Sequence, residues 1–98
     1  MSHGDKNRSL VRFVPEWGPR SPLGALPVSA HLHDRAKRWN YVWQTALDPH
    51  RELGWDDASA GWAWVREGRA IVIAVQEELG ASYLVVGDFD MYAPRGVD

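Results

Sequence analysis

The residues of this chain best equipped for chemistry are His31-Leu32-His33-Asp34. Imidazoles and carboxylates this close together are the raw material of a metal site. Their spacing works against it. On a helix, positions i and i+2 diverge by about 200°, whereas a helical metal pair needs i and i+4. His31 and Asp34 share a face at i and i+3, but no further ligand is indicated, so solvated first-turn residues are expected. Asp56-Asp57 and Glu77-Glu78 are acid pairs of the kind general acid–base catalysis recruits. Helix capping accounts for the first and a solvated last turn for the second. Asp88 and Asp90 flank an expected turn. No nucleophile stands beside a base, the glycines are too scattered to cradle a phosphate, and no zinc spacing occurs. The sequence therefore assigns no catalytic residue, no metal ligand and no cofactor.

Arg35, Lys37, Arg38, Arg66 and Arg69, interleaved with tryptophans, are the remaining chemical candidates, because indoles stack on bases beside cationic phosphate contacts. Glu67, Glu77 and Glu78 dilute that field, and the formal charge of the whole chain is −2. Nucleic acid is thus disfavoured as a partner. Cysteine is absent, which excludes disulfides and thiolate chemistry and agrees with a reducing compartment. The opening MSHGDKNRSL has no apolar core of a secretory signal, and no apolar run is long enough for a bilayer. A cytoplasmic protein without membrane contact is expected.

These side chains must be positioned by a small frame. The 98 residues make one domain, 1–98, with 1–8 and 94–98 expected to be loose. A chain of this size buries only about two-thirds of its unfolded surface. Leu10-Val11-Arg12-Phe13-Val14 reads as a first strand closed by Pro15. Glu16 to Pro27, with Gly18-Pro19, Ser21-Pro22 and Gly24, reads as an ordered surface loop carrying Trp17 and Arg20. Ser29 is placed to cap a first helix, although the glutamate that would complete a capping box is missing. Leu32, Ala36, Trp39, Trp43, Ala46 and Leu47 then recur at helical spacing, with Arg35, Lys37, Arg38, Asn40 and Gln44 off that stripe. Asp48-Pro49 ends this helix.

Gly61 to Val75 reads two ways. In twos it is a hairpin turning at Arg66–Arg69; in threes and fours it is the middle of a long helix. The hairpin would have to continue through Gln76-Glu77-Glu78-Leu79, which has helical character, so a helix from about Ala58 to Leu79 is expected. Its inner stripe is Trp64, Gly68, Ile71, Val75 and Leu79, flanked by Val65 and Val72, and Gly80 stops it. Gly68 weakens a helix by about 1 kcal/mol against alanine. That cost makes sense if a bulky ring of the first helix faces it. Ser82 to Val86 reads as a second strand, and Gly87-Asp88 as a type II′ turn to a short third strand, Phe89 to Tyr92. The expected fold class is α+β, in the order β-α-α-β(-β). An antiparallel helical hairpin covers one face of a two- or three-stranded antiparallel sheet that has at least one open edge.

Around these elements "SPLG", "LPVSAHL" before a tryptophan-bearing helix, "GWDD" and "WVREGRAIVIAVQEELGASYLVV" resemble a group of small actinobacterial α+β proteins without an established activity. In that group an "LP-x-S" helix start precedes an "EGR-A…ELG" helix and a final strand. The resemblance spans about Leu10 to Val86 and implies the fold order above. Its motifs are structural punctuation, so it carries no functional residues. The chain departs from the group at Ile71-Val72-Ile73, which leaves Ile73 off the core stripe.

The tryptophans divide accordingly. Trp39, Trp43 and Trp64 lie on inner stripes. Trp62 sits about 160° around the second helix from Trp64, and with Arg66, Arg69 and Ile73 it forms an outward strip. Surplus aromatic and aliphatic surface without an active-site constellation points to a non-enzymatic protein-interaction module. Its expected contacts are Trp17, Arg20, Trp62, Arg66, Arg69 and Ile73, and its partner is another protein or a second copy in a homodimer. A neutraliser of a toxin fits a compact domain of this kind. The alternative is a small enzyme or ligand-binding domain with a pocket beside the Trp17–Arg20 loop, using Trp17, Arg20 and His31 or His33.

Overall fold

A computed structural model of the chain describes residues 8–46, 55 and 57–94. Strand β1 (Ser9–Phe13) leads through a long loop to helix α1 (Ala30–Ala46). Helix α2 (Ala58–Leu79) follows, then a single 3-10 turn, strand β2 (Tyr83–Gly87) and a second 3-10 turn at Asp90–Tyr92. The α+β class, the element order and both helices are as the sequence predicts. The Leu47 and Asp48-Pro49 expectations lie outside the described residues.

The sheet corrects the expected strand direction. Among the described residues it has two strands, within the two or three expected, and they run parallel and not antiparallel, with Ser9 opposite Tyr83 and Phe13 opposite Gly87. The reason lies in the Val14–Ser29 connection. Had α1 begun beside the end of β1, two antiparallel helices would have delivered an antiparallel strand. Instead the loop runs back along the full flank of α1. Asn40 accepts from the Glu16 amide at 2.8 Å and donates to its carbonyl at 2.7 Å. Gln44 donates to the carbonyls of Glu16 and Gly18. Farther along, His33 holds Ser21 Oγ and the Leu26 carbonyl, each at 3.1 Å. Leu23 plugs this loop into the core. The loop thus adds one more reversal, and β2 enters alongside the start of β1.

No third strand forms among the described residues. Gly87 stays in β2 with ordinary backbone angles, so the type II′ turn is absent. The Asp88 amide bonds to the Phe13 carbonyl at 3.0 Å, and Phe89 turns inward to become fully buried. Aromatic burial wins over hairpin propensity here. A buried ring removes on the order of 200 Å² from water, and Phe89 stands edge-on to Phe13, Trp39 and Trp64.

The two helices cross at Trp39 and Trp64. Their indoles stack at 4.5 Å with planes 6° apart, and each Nε1 donates to the other's backbone carbonyl at 2.9 Å. Gly68 makes room for this arrangement: a Cβ there would lie 2.7 Å from Phe89 Cζ and 2.9 Å from Trp39 Nε1. The helix ends are fixed by neighbouring polar groups. Asp57 accepts from the Ser59 amide and hydroxyl at the start of α2. At α1, Ser29 Oγ accepts from Leu32, while Glu78 of α2 receives the Ser29 amide at 2.7 Å and its hydroxyl at 2.9 Å. The capping glutamate missing from α1's own sequence is supplied from the other helix.

Candidate protein-binding surface

The structure separates the six predicted contact residues into two groups. Trp62, Arg66, Arg69 and Ile73 follow one another along α2 at steps of four, three and four, which puts them on one side of the helix. Ile73 is 60% exposed, apolar area that a partner could cover. Arg66 and Arg69 are exposed, and Arg69 reaches Asp90 at 3.5 Å. Asp90 brings Met91, itself 66% exposed, to the same neighbourhood. Trp62 is only half free. Its ring packs on the core, and its Nε1 is buried without a partner among the described residues.

Trp17 and Arg20 lie elsewhere. Trp17 is 55% exposed, with its ring 4.6 Å from Trp43. The bonds from Asn40 and Gln44 pin this loop to one flank of α1. The other flank faces α2, through the Arg35–Glu67 ion pair and a groove lined by His31, Arg38, Val42, Ala60 and Ala63. The order across the helical layer is therefore loop, α1, α2, strip. The hairpin separates the two predicted contact regions, which do not form one patch.

The predicted pocket residues also diverge. A hollow of about 740 Å³ does open beside the loop, lined by Gly18, Pro19, Arg20, Lys37, Tyr41 and neighbouring residues of α1. His33 is turned away from it into the bonds with Ser21 and Leu26, and His31 lines the interhelical groove instead. Among the described residues no three histidine, aspartate or glutamate side chains converge as metal ligands would. No helix among them is long and apolar enough to cross a membrane.

The sequence reading missed Asn40 and the exposed surface of α1. Asn40 falls off the inner stripe, yet it is 2% exposed because it holds the returning loop. Tyr41 and Val42 are 65% and 44% exposed, a further apolar area beside Arg38. Tyr41-Val42 sits between Trp39 and Trp43, and that local apolar density hid the direction in which the pair points.

Two structural pairs shift the ionisation of a member. Arg35 is held above the ordinary arginine range by its two hydrogen bonds to Glu67, at 2.6 and 3.0 Å, opposed by partial burial. Asp57 is lowered by its bonds from the Ser59 hydroxyl and amide. Neither group belongs to a proton-transfer arrangement. The surface offers shape, charge and apolar area.

A family model described as Serratia CdiI immunity protein-like matches residues 15–87. The match begins in the returning loop and ends with β2, so it includes both helices and most of the stretch that carries the sequence resemblance. No curated protein and no solved structure matches the chain.

Proposed function

We propose that this chain, which belongs to the Serratia CdiI immunity protein-like family, is an immunity-type protein that binds a partner toxin and neutralises it without chemistry of its own. Family membership over residues 15–87 is the observation that carries this reading, and it favours binding over catalysis. The contact assigned here is the α2 strip, centred on Ile73 and flanked by Arg66, Arg69 and the half-buried Trp62. Arginine and tryptophan are enriched in energetically dominant contact regions, and Ile73 supplies aliphatic area among them.

The test takes any toxin domain found encoded beside this chain, in inactivated form for titration and in active form for growth. Ile73→Asp is the clean variant, since Trp62→Ala also removes core packing. We expect Ile73→Asp to fold normally and to weaken the complex by about 2 kcal/mol or more, roughly 30-fold. Addition of Trp62→Ala should weaken it further and abolish growth protection. Unaltered affinity in the folded Ile73→Asp protein would remove the strip from the interface. A wild-type chain that neither binds nor protects would remove the immunity assignment itself.

A further inference from the structure

The hollow between the returning loop and α1 has a charge pattern that singles it out. Among the described residues Arg12, Arg35 and Arg69 are each matched to a carboxylate, namely Asp88, Glu67 and Asp90. Arg8, Arg20, Lys37, Arg38 and Arg66 have no such partner among the described residues, and three of these five, Arg20, Lys37 and Arg38, line this one hollow, Arg38 on the rim it shares with the interhelical groove. No aspartate or glutamate is in its wall. Its polar floor is already committed, because the Asn40 and Gln44 amides hold the loop carbonyls. Three cations thus converge on one open concavity in a chain whose formal charge is −2. Exposed Tyr41 and Val42 stand beside them.

We propose that this hollow receives carboxylate side chains from an acidic segment of the partner protein. Two guanidinium forks can each take a carboxylate through paired hydrogen bonds, and the Lys37 ammonium adds a point charge. Tyr41 and Val42 supply the apolar contact that a protein segment offers between its acidic residues. Charge complementarity selects this occupant over a nucleic acid. A polyphosphate needs a track of cations along its backbone, whereas these three line a single hollow on a net acidic chain. The assignment rests on the interaction reading above, but it concerns the opposite flank of the hairpin from Ile73, so the two can fail separately.

The experiment measures binding of a fluorescein-labelled oligoglutamate peptide to the full chain and to Arg20→Glu/Arg38→Glu, with an oligothymidylate of matching charge in parallel. We expect the wild type to bind the peptide in a salt-sensitive manner, and the double variant to bind about tenfold more weakly or worse. The variant should keep its far-ultraviolet spectrum and melting temperature, because neither side chain is buried. Arg20→Lys/Arg38→Lys should restore part of the affinity. Absence of saturable peptide binding, equal binding by the folded reversal variant, or tighter binding of the oligothymidylate would each overturn the proposal. Titration of the toxin domain with Ile73→Asp and with the reversal variant then tells the two surfaces apart. Loss with the first and not the second removes the hollow and leaves the immunity reading intact. Loss with the reversal variant supports the hollow.

Discussion

Trp39 and Trp43 show how much of this molecule is decided by single indole nitrogens. Both are nearly buried and lie one turn apart on α1. Trp39 donates to the Trp64 carbonyl, whereas Trp43 Nε1 is buried without a partner among the described residues. A buried hydrogen bond contributes about 0.5–1.5 kcal/mol, and a buried donor left unmatched costs about 1–3 kcal/mol. Trp39→Phe removes a satisfied bond together with ring area. Trp43→Phe removes a similar area but also relieves an unmatched donor. We expect Trp39→Phe to be the more destabilising by about 1 kcal/mol or more in urea unfolding, with Trp43→Phe close to neutral. Equal losses would show that the Trp43 nitrogen is satisfied in the folded protein. That both rings face inward is legible from their spacing along the helix. Which of the two finds a carbonyl is not, because the acceptor belongs to the other helix and depends on how closely Gly68 lets the backbones approach.

The helices are the elements most fully written in the sequence, and their ends illustrate where such reading stops. Asp57 caps α2 through Ser59, a local arrangement that adjacent acids before an apolar run announce. The Ser29 cap is equally legible, but its completing carboxylate, Glu78, arrives from 49 positions away. No local rule could find that partner: Glu77 and Glu78 are both exposed, as expected of a solvated last turn, and Glu78 reaches Ser29 from there. Asp57 has its folded pKa lowered by the Ser59 bonds, so its contribution is present above the unfolded value and is lost as pH falls through the folded one. We expect thermal stability to decline below about pH 4, the ordinary aspartate range, and the decline to be shallower in Asp57→Asn. Asparagine keeps the cap's acceptor without the titration. Identical acid slopes in the two proteins, followed by circular dichroism melts, would mean that the cap contributes nothing pH-dependent. The strip on α2 was also readable, since Ile73 departs from the buried period. Its separation from the Trp17–Arg20 loop was not, because no periodicity states on which flank of α1 a proline-rich loop will run.

At the scale of the whole molecule, the parallel pairing of β1 with β2 follows from that loop and leaves a two-stranded sheet with exposed margins. Such a sheet would ordinarily recruit further strands from neighbouring chains. One side chain covers the first half of the outer margin of β2. Gln76 on α2 accepts from the Val85 amide at 2.9 Å and donates to the Tyr83 carbonyl at 2.9 Å. In a parallel strand the groups pointing to one side belong to alternate residues, and here Tyr83 and Val85 point away from β1. Gln76 thus takes the place that a third strand would occupy. This arrangement opposes strand addition beside Tyr83 and Val85. Gln76→Ala would free both backbone groups at once. We expect a loss of about 1–3 kcal/mol from the two unmatched groups, together with association that rises with protein concentration in sedimentation experiments. Gln76→Glu should keep the bond from Val85 but turn a second acceptor toward Tyr83, giving an intermediate loss that lessens as the carboxyl is protonated at low pH. If Gln76→Ala stayed monomeric at every concentration and melted with the wild type, the β2 margin would be protected by something other than this amide.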